Sequence, residues 1–133
     1  MPDPFLFELV SPEQVLLSEN TEMVVVPGTE GDFGVLIGHA PVISTLRSGV
    51  INIHVGNKLD KRIFVGGGFA EVTGERCTIL AEEAIFVDDI DPRQAQDRLN
   101  VAQSALEAAT DEVSRNKAEI ELAAAIAMAN IDR

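Results

Sequence analysis

The chain has 133 residues, 46% of them hydrophobic, enough for one domain with a real core and a small appendage. A net charge of −12 repels nucleic acid and anionic membrane surfaces, which excludes both as direct ligands. The single cysteine, Cys77, excludes an internal disulfide and suits a reducing compartment; the absence of Trp and Tyr removes the usual platforms for stacking sugars or bases.

In chain order, the segment from Met1 to Glu8 has no basic residue followed by a long apolar stretch, so no secretory signal is expected. No apolar run approaches the roughly 20 residues that span a bilayer, so direct membrane insertion is not expected either. From Phe5 to about Val87, short β-rich runs alternate with turn residues. Strands are expected near Phe5–Val10, Val15–Leu17, Glu22–Val26, Gly34–Ile37, Val42–Leu46, Val50–Val55, Lys61–Val65, Phe69–Thr73, Cys77–Ala81 and Ala84–Val87. Gly56-Asn57 and Gly74-Glu75 read as hairpin turns between apolar flanks. Strands this short and this regularly punctuated suggest a sandwich or a flattened barrel.

The stretch from Pro27 to Gly49 stands out. Gly28, Gly31, Gly34 and Gly38 recur every three or four residues, too closely for an ordinary strand or helix, so linked turns with a short strand between them are expected. Thr29, Glu30 and Asp32 then project from an exposed tip, either as solvated loop acids or as a negative surface for a basic partner. His39, between Gly38 and Ala40-Pro41, is either satisfied by turn backbone or a contact residue.

At Ile90-Asp91-Pro92 the period changes. Asp91 is a good N-cap, Pro92 suits the first helical position, and Gln94 completes a capping-box-like pair. Ala95, Leu99, Ala102, Leu106 and Ala109 form one helical stripe. Asn116 with Glu119 offers a second capping box, so a second helix is expected from Lys117 to about Ile131, closing a two-helix hairpin. The stripe also continues through Val113, Ile120 and Ala127, which permits one long helix as an alternative. Residues 1–88 and 89–133 are accordingly the two expected domains.

Catalytic chemistry finds no constellation. His39 and His54 lack metal-ligand spacing to each other or to Cys77, so no metal is expected. Gly66-Gly67-Gly68 is not followed by the Lys-Ser/Thr of a phosphate loop and reads as a bulge or close backbone approach. Neither catalytic residues nor a cofactor is expected.

Several segments, in this order and spacing, resemble the epsilon subunit of bacterial F-type ATP synthases, the counterpart of the mitochondrial delta subunit. They are Leu9 to Gln14, Gly28 to Gly49 with Gly38-His39-Ala40-Pro41, Gly67 to Val72, Leu80-Ala81-Glu82 and Ala123 to Ala127. The resemblance covers nearly the whole chain. It implies a mainly β fold with α: an N-terminal ten-stranded sandwich of two five-stranded sheets, then a C-terminal antiparallel two-helix hairpin. It also implies a rotor subunit without chemistry of its own, at the cytoplasmic face of the bacterial inner membrane, coupling the gamma subunit to the c-ring. Positions matching the ring-contact loop are Glu30, Gly31 and Asp32, with His39 close by. Those matching gamma-facing residues are Ser11, His39, Ser44 and Val50.

In many relatives the hairpin either folds on the sandwich or extends to the alpha/beta catalytic head and blocks ATP hydrolysis. Some bind ATP through an Ile-Asp-x-x-Arg-Ala motif. This chain reads Ile90, Asp91, Gln94 and Ala95 at those positions, with Gln94 where the arginine belongs; Arg93, one residue away, is turned by about 100° on a helix. Tight ATP binding is therefore not expected. After Arg115 only Lys117 and Arg133 are basic, against Glu119, Glu121 and Asp132, which predicts weak or absent inhibition.

Overall fold

The computed structural model describes residues 3–132. Ten strands come first: β1 (Phe5–Val10), β2 (Val15–Thr21), β3 (Met23–Gly28), β4 (Gly31–Val35), β5 (Val42–Leu46), β6 (Gly49–Val55), β7 (Lys58–Val65), β8 (Gly68–Val72), β9 (Arg76–Ala81) and β10 (Ala84–Phe86). A short 3-10 turn, Val87–Asp89, precedes helices α1 (Pro92–Ala108) and α2 (Glu112–Ala129). The chain divides into two compact units, Met1–Asp88 and Asp89–Arg133.

Alternation builds the first unit. In β1, Phe5, Phe7 and Leu9 are buried while Leu6, Glu8 and Val10 are not; in β9, Cys77, Ile79 and Ala81 play the same part. Together with Val24, Val26, Val35, Ile51, Ile53, Ile63, Val65 and Val72 they form one apolar cluster between the two halves of the sandwich. One half carries β10, β7, β6, β3 and β4; the other carries β5, β8, β9, β1 and β2. The expected pair of separate five-stranded sheets needs one correction. The halves are joined into a single ten-stranded sheet, with β4 branching off β3, by one residue pair, Gly28↔Leu46, between β3 and β5. At that corner backbone groups need partners, and Thr29 N–H donates to Thr45 O (3.0 Å) while Arg47 N–H donates to Pro27 O (3.0 Å).

Gly56 and Asn57, at φ +59° and +67°, make the two-residue turn between β6 and β7. Strand β4 departs from expectation. It occupies Gly31–Val35 rather than Gly34–Ile37, because Thr29-Glu30 is itself the turn and the chain pairs straight back on β3. Leu36 and Ile37 lie outside the ladder and are exposed.

Cys77 is fully buried in β9, and burial pushes its thiol up to about 12. Folded protein should leave an aromatic disulfide reagent unreacted, with thiol released only at the rate of unfolding. Rapid reaction of the native chain would contradict this burial.

In the second unit Asp91 caps α1, accepting from the Arg93 amide (2.9 Å) rather than from that of Gln94. Helix α2 begins earlier than expected. Its cap is Asp111, not Asn116: the Asp111 carboxylate accepts from the Ser114 amide (2.7 Å) and hydroxyl (3.0 Å). Only residues 109–111 separate the helices, so the chain forms a hairpin, not one long helix. The buried helical residues are mostly alanines, and a two-pronged ion pair ties the arms: Arg98 Nε to Glu121 Oε1 (2.7 Å) and Nη2 to Oε2 (3.1 Å).

Arg98 holds the Glu121 carboxyl below its ordinary 4.5, and the Ser114 amide and hydroxyl hold Asp111 below its ordinary 3.8. Depressed folded values mean that this stabilisation is complete above those ordinary values and is lost as pH falls through the lower folded ones. Helical circular dichroism should therefore become less heat-resistant on acidification below about pH 4.5. A Glu121→Gln, Asp111→Asn double variant should lose that share of the dependence. An identical pH profile in the double variant would overturn the assignment.

Candidate functional site

The tip is built by geometry that only glycine allows. Gly28 pairs with Gly31 across the Thr29-Glu30 turn, and a Cβ on Gly28 would stand 2.8 Å from the Gly31 carbonyl oxygen; Gly31 itself sits at φ +133°. Glu30, Gly31 and Asp32 are exposed. Arg47 reaches back to the tip: Nη1 donates to Gly28 O (2.5 Å) and Nη2 pairs with the Asp32 carboxylate. His39 is half-buried, its Nδ1 lies 2.7 Å from Ala40 O, and its ring tilts against Phe33 with centroids 6.4 Å apart. Turn backbone thus engages the imidazole. Glu30, Gly31, Asp32, His39 and Ser44 line one open groove of about 520 Å³, whose apolar wall is Phe33, Val42 and Ile43.

The remaining expected contact residues do not join that groove. Ser11 holds the turn between β1 and β2, its amide (2.9 Å) and hydroxyl (3.3 Å) both donating to Gln14 O. It borders a second groove of about 240 Å³ with Val10, Phe69 and Leu80. Val50 is half-buried on β6, in the other half of the sandwich, paired with Phe64. Of the nucleotide-motif positions, Asp91 is engaged as the α1 cap, Ala95 is buried and Gln94 is exposed. Among the described residues no group of three or more His, Cys, Asp or Glu side chains is placed to hold a metal ion, and no helix is long and apolar enough to cross a membrane.

A feature the sequence reading missed links the two grooves. Because Ala70 and Val72 point into the core, Phe69 points out; because Ile79 and Ala81 point in, Leu80 points out. The register then aligns Thr45↔Phe69, Phe69↔Leu80, Val10↔Leu80 and Val10↔Val15 across five strands. Directly paired side chains stand roughly 5 Å apart, so these residues make one continuous row. Phe69 is 52% exposed, Leu80 50%, Val15 58% and nearby Ile43 73%. The next row, Ile43–Glu71–Thr78–Glu8–Ser18, is mostly polar or acidic. An apolar stripe with a polar margin is the anatomy of a protein interface. The available clue was phase: Phe69 and Leu80 are bulky apolar residues out of step with the buried residues beside them.

A family model described as "ATP synthase, Delta/Epsilon chain, beta-sandwich domain" matches residues 4–87. An ATP synthase epsilon chain of Rhodospirillum rubrum is 54% identical over 123 residues, 92% of this chain and 90% of the relative. One from Paramagnetospirillum magneticum is 52% identical over 118 residues, covering 89% and 87%. A chain in the OSCP/F1/c-ring structure of the Euglena gracilis mitochondrial ATP synthase shares the fold, with a TM-score of 0.82 at 24% identity over 96% of this chain and 81% of that one. Sequence over most of the length and fold over nearly all of it agree: the chain belongs to the delta/epsilon family of ATP synthase subunits and is similar throughout to the bacterial epsilon chains.

Proposed function

We propose that the chain is a non-catalytic central-stalk subunit of a proton-translocating F-type ATP synthase, with the gamma subunit on the apolar stripe and the c-ring's polar loops at the acidic tip. The stripe is the observation that carries this reading. Three side chains of the row, Phe69, Leu80 and Val15, are at least half-exposed and Ile43 flanks them, which favours a protein partner, since each contributes on the order of 1 kcal/mol when covered. Ser11 borders the groove on this face, which supports it as a gamma contact better than it supports Val50; Ser44 pairs with buried Ala70 and so turns to the opposite side of β5 from the row. The tip is a rigid acidic turn that loses little entropy on docking to a basic loop.

In this reading residues 1–88 dock the rotor and residues 89–133 are a regulatory appendage that inhibits hydrolysis weakly and binds ATP poorly. The subunit sits peripherally at the cytoplasmic face of the bacterial inner membrane as part of the complex. The structural neighbours belong to synthase assemblies, one of them from the central stalk and c-ring of the Tetrahymena thermophila enzyme (TM-score 0.68, 10% identity), which supports a place in such an assembly.

Bacterial membranes stripped of their own epsilon subunit should regain proton-coupled ATP synthesis when the purified full chain is added. Failure to rebind the stripped enzyme would overturn the proposal. Synthase carrying the chain without residues 90–133 should hydrolyse ATP at nearly the rate of the intact complex; a several-fold rise would show that the hairpin inhibits.

A further inference from the structure

We infer that Arg47 sets both the posture and the effective charge of the tip, so that Glu30, and not Asp32, is the carboxylate offered to a basic partner. This rests on the docking role proposed above for the tip. Arg47 is placed for it by the corner where the two halves of the sandwich meet: its own amide donates to Pro27 O at 3.0 Å, directly beneath the turn. From there its guanidinium forks, one nitrogen on Gly28 O at 2.5 Å and another on the Asp32 carboxylate. One side chain thus grips both strands of the tip hairpin, the last residue of β3 and the second of β4.

A planar guanidinium is suited to such a fork, because its donors are fixed relative to one another. Glu30 has no ion-pair or hydrogen-bond partner among the described residues, and it is one of the two exposed residues of the turn itself. Of two acids two residues apart, one is matched and one is free. The exposed Arg47–Asp32 pair contributes little to global stability, so its consequence lies in orientation and local charge.

The test combines rebinding and local order. Full-length chains are rebound to synthase membranes lacking epsilon across a salt series. Glu30→Gln should weaken rebinding by about threefold or more at low salt and flatten the salt dependence. Asp32→Asn should change it by less than about twofold in the native background, yet have a distinctly larger effect once Arg47→Gln has freed that carboxylate. Equal losses for Glu30→Gln and Asp32→Asn, or the same Asp32→Asn effect with and without Arg47, would overturn the charge assignment.

The posture is read without any partner, by backbone ¹⁵N relaxation of the free chain. Arg47→Gln should increase fast motion at residues 28–32 and leave the rest of the sandwich unchanged. Unaltered relaxation there would overturn the inference even if docking holds. Loosened residues 28–32 combined with rebinding that ignores Glu30 would instead overturn the docking role of the tip.

Discussion

Replacing Gly68 with alanine should remove most of the stability of the sandwich. Gly68 begins β8, where it pairs with Leu46 of β5 on one side and Ala81 of β9 on the other. Its φ is +129°, a conformation that costs other residues about 1–3 kcal/mol. A Cβ there would also lie 2.0 Å from the Leu80 carbonyl oxygen and 3.0 Å from Ala81 Cα. Both obstacles are backbone, so no rotamer relieves the clash, and overpacking adds about 1–3 kcal/mol more. The sum, about 2–6 kcal/mol, is a large part of what a domain of this size has. Thermal denaturation should shift down by roughly 10–20 °C, or the variant should fail to accumulate folded. Gly38→Ala is the control. Gly38 also has a positive φ (+78°), but nothing stands within 4 Å of the added methyl, so only the conformational cost of about 1 kcal/mol applies. Similar melting of the two variants would show that the close approach at Leu80 is not what requires glycine.

The second large effect falls on binding. A Phe69→Ser, Leu80→Ser double variant should lose affinity for the gamma subunit by about 100-fold or more, the change expected when two central apolar anchors are truncated. Its own melting should move little by comparison, because both side chains already face solvent and the core beneath them, Ala70, Val72, Ile79 and Ala81, is untouched. Val113→Ser is the matching control: Val113 on α2 is 78% exposed but lies off the stripe, and its loss should not affect binding. Calorimetric titration against purified gamma separates the cases. Unchanged affinity in a normally folded double variant would remove the stripe from the interface.

The strands were legible where their buried residues keep period two. Phe5, Phe7 and Leu9 in β1 announce their inward face without help from the fold, whereas in β6 Val50 on the same side as Asn52 and His54 blurs the alternation. Where a run of apolar residues continued past the ladder, the reading slipped. Gly34-Val35-Leu36-Ile37 has the composition of a strand, yet the two-residue turn at Thr29-Glu30 forces pairing to begin at Gly31, and only Val35 of the apolar trio is buried. The second helix starts earlier than its capping-box residues suggest. Asp111 has the extended backbone of a cap and a serine hydroxyl to hold it, while Asn116 and Glu119 lie inside the helix.

For the site, the glycines and acids of the tip were readable, because unusual backbone demands show in residue type. The stripe was not. It depends on which strands are neighbours, and Val10 meets Leu80 only because β1 lies parallel to β9 across some 70 positions of sequence. Arg47 was invisible for the same reason: one arginine after an apolar strand gives no sign that it will reach two points on a distant turn.

The β1–β9 pairing also governs when the protein becomes competent. Antiparallel neighbours such as β6 and β7 can zip as the ribosome delivers them, but β1 has its partner β9 only once Ala81 has been made. Closing so long a loop delays the step, and until then β1 and β2 can form only a two-stranded hairpin of marginal independent stability. The row from Thr45 to Val15 is assembled by that last closure. A chain that stops before Ala81 therefore carries no complete row, so the partner proposed above would engage only chains made past that point.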